Sequence, residues 1–387
     1  MDLQKLFTEE EIRDAFKQLK SRKKKKKFED ELSGRFDTRK ELNSLGKFLN
    51  RTTQQEYYAS LKTFELDSYQ GLAIKKSNGQ FRPLLIPSPK DRVVLAAAFP
   101  KLFKRMESRL KKYKALGLGL NKKSEIGEMK RVLEEIRNLI IKNGDCFVLK
   151  LDFKDFFSSI KRRSLMKKTK VLLGRENDKL SAFLSKSINN GIKADAIFWD
   201  CFKSLKLDTD GIPQGLSYSP LLASFYAIPL DAKMREGKLR SYRYLDDMIV
   251  IAKSKNKIES AYKQIEIVSK SLGMRLHPLS AKGKTQIIEI NETGYGFTFL
   301  GVEVRKDKLK IPDKAIAHFQ EIVREEIVTD ATIKKYTLNE IIETYKKFAT
   351  GWTSHYRSLC PQDFEDVSKR LDLFLRNHIE KRRHPRA

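Results

Sequence analysis

Three aspartates set the chemical question. The stretch "SYRYLDDMIVIAKS" places Asp246 and Asp247 side by side, with Tyr242, Tyr244 and Leu245 before them and Met248, Ile249, Val250 and Ile251 after. These flanks are β-prone, so the pair is expected at or near a hairpin turn. Adjacent residues on a strand point to opposite faces, and a turn relaxes that rule. Two carboxylates this close in an apolar setting do not both ionise cheaply unless a cation sits with them. Oxygen donors with few other ligands suit Mg2+, which takes one or two carboxylates together with substrate phosphates. An exposed Asp-Asp hairpin turn is the other reading of "YLDD" alone.

A third carboxylate extends the first reading. "FVLKLDFKDFF" puts Asp152 at the end of another apolar strand. If that strand lies beside the hairpin, Asp152 joins the pair. Three carboxylates can bridge two Mg2+, an arrangement that activates an attacking hydroxyl and stabilises a leaving pyrophosphate in an in-line displacement. The chemistry expected is nucleotidyl transfer.

The rest of the composition fits a polyanionic substrate. The 387 residues carry a formal net charge of +29. Nucleic acid is the leading partner for such an excess, because each neutralised phosphate releases counterions; a generally basic surface is the bland alternative. The 40% hydrophobic content is enough for a sizeable core. Cys146, Cys201 and Cys360 are odd in number and widely spaced, which argues against a disulfide framework or a zinc ribbon. The five histidines form no metal-binding pair, no apolar run reaches the length of a membrane span, and "MDLQKLFTEEEI" lacks the apolar core of a signal peptide. A reducing cytoplasm is expected.

The elements that must position the aspartates follow from local pattern. Thr8 and Glu11 form a capping box before a helix that runs into Lys23 to Lys27. That lysine run is a solvated face or a grip on a phosphate backbone. Residues 35–70 read as mostly helical. "LAIKKSNGQFRPLLIPSPKDRVV" reads as a β-hairpin that Pro87 and Pro89 end. Residues 93–137 read as helical with an interruption near "GLGLN", and 161–205 as helical and basic. "DTDGIPQGLSYSP" reads as a loop, "LLASFYAIPLDAKM" as one apolar helix, and residues 255–273 as another helix. A further strand pair is expected over "KTQIIEI" and "YGFTFLGVEVRKDKLKI", with helices from Pro312 onward. The fold class is α+β.

The order of these segments resembles the reverse transcriptase family. "LDFKDFFSSI", "GIPQGLSYSP", "YLDD", "LGMRLHPLSAKGKTQI" and "FTFLG" occur in the order of that family's palm motifs. "GQFRPLLIPSPKDRVV" is similar to its fingers hairpin, and "IIETYKKFATGWTSHYRSL" to its thumb. A Tyr-x-Asp-Asp tetrapeptide alone is a modest signal; five motifs in register over about residues 70–360 are a specific one. The resemblance implies a right-hand polymerase fold with fingers, a palm built on an antiparallel sheet, and a helical thumb. The boundaries it implies are a basic helical region at 1–70, fingers at 71–145, a palm at 146–305 with inserted fingers helices at about 161–205, and a thumb and tail at 306–387.

The same resemblance assigns roles. It makes Asp152, Asp246 and Asp247 catalytic, and Asp152, Phe153, Asp246 and Asp247 the metal-binding positions for two Mg2+ ions, with Mn2+ as a substitute. Asp247 is often the less direct ligand in such pairs. It places Lys75, Arg82, Asp155, Phe156, Phe157, Gln214 and Gly215 at the dNTP. Phe157 would be the ring that rejects a ribose 2′-hydroxyl, with core packing as the alternative, and Lys75 and Arg82 would hold the triphosphate. Phe299, Leu300 and Gly301 match the primer grip. Lys284 matches a lysine proposed to protonate pyrophosphate, with Lys282 as its alternative. Trp352, His355 and Tyr356 would support the duplex or pack in the thumb core.

Within the family, the sequence after the thumb-like segment offers no carboxylate set of RNase H type and no Cys/His cluster of an endonuclease. A compact bacterial enzyme is expected. The Asn-Ala-x-x-His and Val-Thr-Gly segments of retron enzymes are missing, and Leu245 stands where intron-type enzymes have alanine. Elimination leaves the defence-associated "unknown group" of reverse transcriptases. That reading brings an RNA template, a DNA product, dNTPs, a structured non-coding RNA, and a co-encoded protein or an oligomer as partners, with no membrane. Retron-like or intron-like enzymes, a template-independent nucleotidyl transferase and an inactive RNA-binding protein are the rival readings.

Overall fold

The capping pair read from the sequence forms at the first helix. The Thr8 N–H donates to Glu11 Oε2 at 2.9 Å and the Glu11 N–H to Thr8 Oγ1 at 3.2 Å, satisfying two donors that a helix start leaves open. The computed structural model describes residues 1–29, 38–75, 79–112, 125–280, 283–291 and 296–383, with the side chains of 21–29, 38–43 and 125 outside that set. Lys23 to Lys27 therefore lie in a helix, but their side chains are outside the described residues, as is "GLGLN".

The helices and strands in chain order are α1 (Glu9–Glu29), α2 (Thr38–Arg51), α3 (Gln54–Ser60), β1 (Tyr69–Lys75), β2 (Phe81–Ile86), α4 (Pro89–Lys112), α5 (Glu125–Asn143) and β3 (Cys146–Lys154). Then come α6 (Arg162–Leu173), α7 (Asp178–Ile188), β4 (Ile192–Lys193), α8 (Ala196–Ser204), α9 (Ser219–Tyr226), α10 (Ile228–Glu236), β5 (Arg240–Tyr244), β6 (Asp247–Ala252), α11 (Lys255–Ser271), β7 (Arg275–Leu276) and β8 (Gln286–Ile290). The chain closes with β9 (Phe297–Phe299), β10 (Val302–Val304), β11 (Leu309–Lys310), α12 (Asp313–Glu326), α13 (Asp330–Lys335), α14 (Leu338–Leu359) and α15 (Pro361–Arg383). Mixed helices and antiparallel sheets make the fold α+β. Among the described residues no helix is long and apolar enough to cross a membrane.

Two compact units divide the chain. One gathers residues 1–23, 40–120 and 147–288; the other gathers 24–39, 121–146 and 289–387. In the first, an antiparallel sheet runs β5-β6-β3-β7, with β8 also paired to β3. Val148, Leu149, Leu151, Met248, Ile249 and Val250 are fully buried. Adjacent strand residues point to opposite faces, so both faces of β3 and β6 are covered, and this is why both strands read as almost continuous apolar runs. A second sheet, β2-β1-β4, carries the expected hairpin, with Lys75 paired to Phe81 and Ile74 to Arg82. β4 runs parallel to β1 and is only two residues long, too short to leave a periodicity in the sequence.

Three local expectations differ from the structure. "LLASFYAIPLDAKM" forms two helices that meet at Ala227, because Pro229 has no N–H to extend α9 and is tolerated only at the start of α10. "KTQIIEI" and "YGFTFLGVEVRKDKLKI" do not make one pair: β8 joins β3, while β9, β10 and β11 make their own sheet. The β9–β10 turn explains the separation. Leu300 and Gly301 have φ of 54° and 74°, which is the backbone of a two-residue hairpin that closes locally. Finally, α5 belongs with the C-terminal unit, whereas the boundaries read from sequence grouped it with β1 and β2. Its face of Leu133, Ile136 and Ile140 is buried, and Arg137 donates to the carbonyls of Lys306 at 3.1 Å and Asp307 at 2.7 Å.

Candidate active site

Strand pairing brings the aspartates together. β3 and β6 are antiparallel, and Asp152 lies directly opposite Asp247, so their side chains leave the same face of the sheet. Tyr244 pairs with Asp247, leaving Leu245 and Asp246 as a two-residue turn. Leu245 has φ 53°, a left-handed conformation that costs a side-chain-bearing residue about 1–3 kcal/mol. The turn lifts Asp246 out of strand alternation, as the sequence required. Burial pushes the Asp246 carboxyl above its ordinary value, and the charge of Asp152 adds to this; its own backbone, Arg82 and Lys284 oppose it. Asp246 therefore sits in the field of Asp152, Arg82 and Lys284. The Leu245 side chain is half-buried and packs on the core.

Asp152 is fixed from both sides of its peptide. Its N–H donates to Thr285 Oγ1 at 3.3 Å, and its carbonyl accepts the His277 N–H at 3.0 Å. Lys284 Nζ lies 3.4 Å from Asp152 Oδ2. The Lys284 side chain is 65% exposed, so the pair adds little stability and acts as a local positive charge. Lys282, the alternative to Lys284, is outside the described residues.

Among the described residues no three His, Cys, Asp or Glu side chains form a metal cage. Mg2+ does not need one, because it retains waters and takes one or two carboxylates with substrate phosphates. The donor set fits that ion: the oxygens are hard, and the Asp246 carboxyl, raised by burial and by Asp152, gains most from an added cation.

The residues that the sequence reading placed at a nucleotide form a connected backbone frame. After β3, Asp155 takes φ 49° and its carbonyl accepts the Ser159 N–H at 2.9 Å. Phe156 is 3% exposed, and its ring packs between Phe153 and Phe157. Phe157 is half-buried and its carbonyl accepts the Ile212 N–H at 3.0 Å. Arg162 locks the same loop by donating to the carbonyls of Leu207, Asp210 and Gly211 at 2.5–2.8 Å. The Leu85 N–H donates to the Gln214 carbonyl at 2.9 Å. Gly215 has φ 110°, and a Cβ there would stand 1.9 Å from the Leu85 carbonyl oxygen. Only glycine permits that approach. Arg82 is exposed on β2, and Lys75 is exposed at the end of β1.

The C-terminal unit holds the other expected residues. Phe299, Leu300 and Gly301 form the β9–β10 turn, and Tyr356 Oη donates to the Gly301 carbonyl at 3.2 Å. Trp352 stacks on Phe319 with centroids 4.6 Å apart, His355 meets Tyr356 edge-on at 5.0 Å, and Tyr356 is 7% exposed. Tyr356 is thus a core residue that braces the turn.

Sequence reading missed Thr285, His277, Arg162 and the buried pair Asp231–Arg243. The available signal was Arg243 itself. A charge inside a strand flanked by Tyr242 and Tyr244 has to find a partner if both faces are covered.

Two outcomes follow. Gly215→Ala should separate the Gln214 loop from β2; it should lower the unfolding midpoint in a thermal melt and sharply reduce nucleotide binding measured by titration. For Asp246 the sign follows from its raised pKa: ionisation costs the folded state stability, and the cost appears as pH rises through the shifted value. In metal-free protein Asp246→Asn should therefore be stabilising at neutral pH. The gain should fade as pH falls through the folded pKa, above 3.8, and also on adding Mg2+, as read from denaturant melts.

The chain is similar to several known proteins. "Protein YkfC" of Escherichia coli (strain K12) is 26% identical over 269 residues, covering 59% of this chain and 64% of that protein. Two solved structures are similar with TM-scores of 0.45. Apo telomerase from Candida tropicalis, truncated from its C-terminal domain, is 15% identical and covers 63% of this chain and 55% of that one. Telomerase from Candida albicans with the TWJ fragment of telomeric RNA is 12% identical and covers 88% of this chain and 65% of that one. The chain thus spans less than two thirds of the length of each of these relatives. The model of the family described as reverse transcriptase (RNA-dependent DNA polymerase) matches residues 74–304, and the chain belongs to that family.

Proposed function

We propose that the chain is an RNA-directed DNA polymerase that adds dNTPs to a 3′-hydroxyl with the help of two divalent cations. The register of Asp152 against Asp247, with Asp246 at the adjoining turn, is the observation that carries this reading. Asp152, Asp246, Asp247 and the backbone of Phe153 would hold the ions, Mg2+ by preference. When bound, these ions supply the positive charge that activates the hydroxyl and neutralises the leaving pyrophosphate. Asp155, Phe156, Gln214 and Gly215 line the nucleotide with backbone, and Lys75 and Arg82 neutralise its triphosphate. Phe157 leaves no room for a 2′-hydroxyl. Lys284, exposed and beside Asp152, is the donor of a proton to pyrophosphate. Phe299, Leu300 and Gly301 support the primer end. The net charge of +29 supports a nucleic-acid duplex as the bound polymer.

The cellular reading is a bacterial defence enzyme with an associated structured RNA. Its support is the absence of the retron segments and the leucine at position 245. A cytoplasmic site of action and a co-encoded protein partner belong to the same proposal.

The test is primer extension on an RNA template. Synthesis is expected with dNTPs and not with rNTPs, only with template, and not in EDTA or with Asp246→Ala. Phe157→Ala should admit rNTPs. Synthesis without template would instead indicate a terminal transferase, and Asp246→Ala with undiminished synthesis would remove the catalytic assignment. Plating phage on hosts with and without the gene, and sequencing the RNA that co-purifies, tests the defence reading.

A further inference from the structure

Arg243 and Asp231 are each 3% exposed. The guanidinium of Arg243 is used on every side. Nε donates to Asp231 Oδ1 at 3.0 Å and Oδ2 at 3.1 Å, and Nη2 donates to Asp231 Oδ2 at 2.6 Å. Nη2 also donates to the Ser224 carbonyl in α9 at 3.2 Å, and Nη1 to the Leu245 carbonyl at 3.2 Å. One side chain thereby joins α9, α10 and β5 to the turn that carries Asp246. A buried ion pair is a weak source of stability, since apolar residues of similar volume often serve as well. Stability alone does not explain why it is there.

The turn explains it. Leu245 is held at φ 53°, and a strained conformation persists only where its surroundings over-determine it. The Leu245 side chain packs on the core, which fixes one end of the residue. Its carbonyl, which leads into the Asp246 peptide, is fixed by Arg243. We propose that Arg243 is a positioning residue for the polymerase reaction: neutralised by Asp231 and braced on Ser224, it holds the Leu245 carbonyl and so aims Asp246. This rests on the polymerase reading above. The planar fork of a guanidinium is needed, because a lysine ammonium can reach Asp231 but cannot span the Ser224 and Leu245 carbonyls together.

The experiment compares wild type, Arg243→Lys, and the double variant Asp231→Leu with Arg243→Met. The double variant should fold, with a denaturant midpoint close to wild type. In both variants, hydrogen exchange by mass spectrometry on metal-free protein should show faster exchange in the peptide spanning the 244–248 turn, with the rest of the sheet unchanged. Primer extension should show kcat lower by about 100-fold, the order expected for a misplacement near 1 Å, with primer–template affinity unchanged. Wild-type turn exchange and kcat in Arg243→Lys overturn the proposal. If the double variant does not fold, Arg243→Lys decides alone. If wild type makes no DNA, the polymerase reading fails, and the metal-free exchange measurement still decides whether Arg243 holds the turn.

Discussion

The register between β3 and β6 is the constraint on which the site depends. Six consecutive pairs run from Phe147–Ala252 to Asp152–Asp247; four of them are apolar, and all of their residues but Phe147 are buried. A slip of one residue would turn every side chain to the other face. It would part Asp152 from Asp247 and set the apolar side chains of both strands against the wrong neighbours. The apolar run is therefore an alignment device as much as a core. The energy that fixes register is hydrophobic and spread over nine apolar residues, while its consequence is the relative position of two carboxylates at one end.

At that end the balance of forces reverses. The paired run of β3 and β6 is mostly apolar, and Asp246 pays for its position by burial and by the neighbouring charge of Asp152. Arg82 from β2 and Lys284 after β7 partly offset it. Both are exposed, so each can turn toward an anionic ligand. The backbone frame does not share that freedom. Gln214 and Leu85 are tied by a main-chain hydrogen bond, and Gly215 permits it by lacking a Cβ.

The sequence revealed the parts of this arrangement that depend on short-range pattern. The short apolar runs of β1 and β2, the Thr8–Glu11 cap, the apolar runs of β3 and β6 and the turn at Leu245–Asp246 all announce themselves within a dozen residues. What stayed hidden was long-range or small. β4 is two residues paired in parallel with a strand more than a hundred positions away. The grouping of α5 with the C-terminal helices depends on where its apolar face finds cover, and amphipathicity does not name the partner. Thr285 and Arg162 have no pattern of their own; they act through hydrogen bonds to carbonyls or amides that only the tertiary fold brings near. The three aspartates were legible because their chemistry is unusual for their setting. The residues that hold them are ordinary residues in unusual places.

Strain follows the same division. Among the described residues five non-glycine residues take positive φ, and three of them are Asp155, Leu245 and Leu300. Each sits in a turn at the end of a strand that the family pattern marks: after β3, between β5 and β6, and between β9 and β10. Glycine would relieve the strain at all three positions but would also loosen the turn, since its unfolded and local freedom is greater. A leucine in the left-handed region is different. Its side chain can be packed, and the packing of Leu245 on the core and Leu300 at 8% exposure pins the turn in a way glycine could not. The conformational cost of such a residue is thus matched to a purpose. It converts core packing, which is strong but without direction, into a fixed orientation for the short piece of backbone beside it.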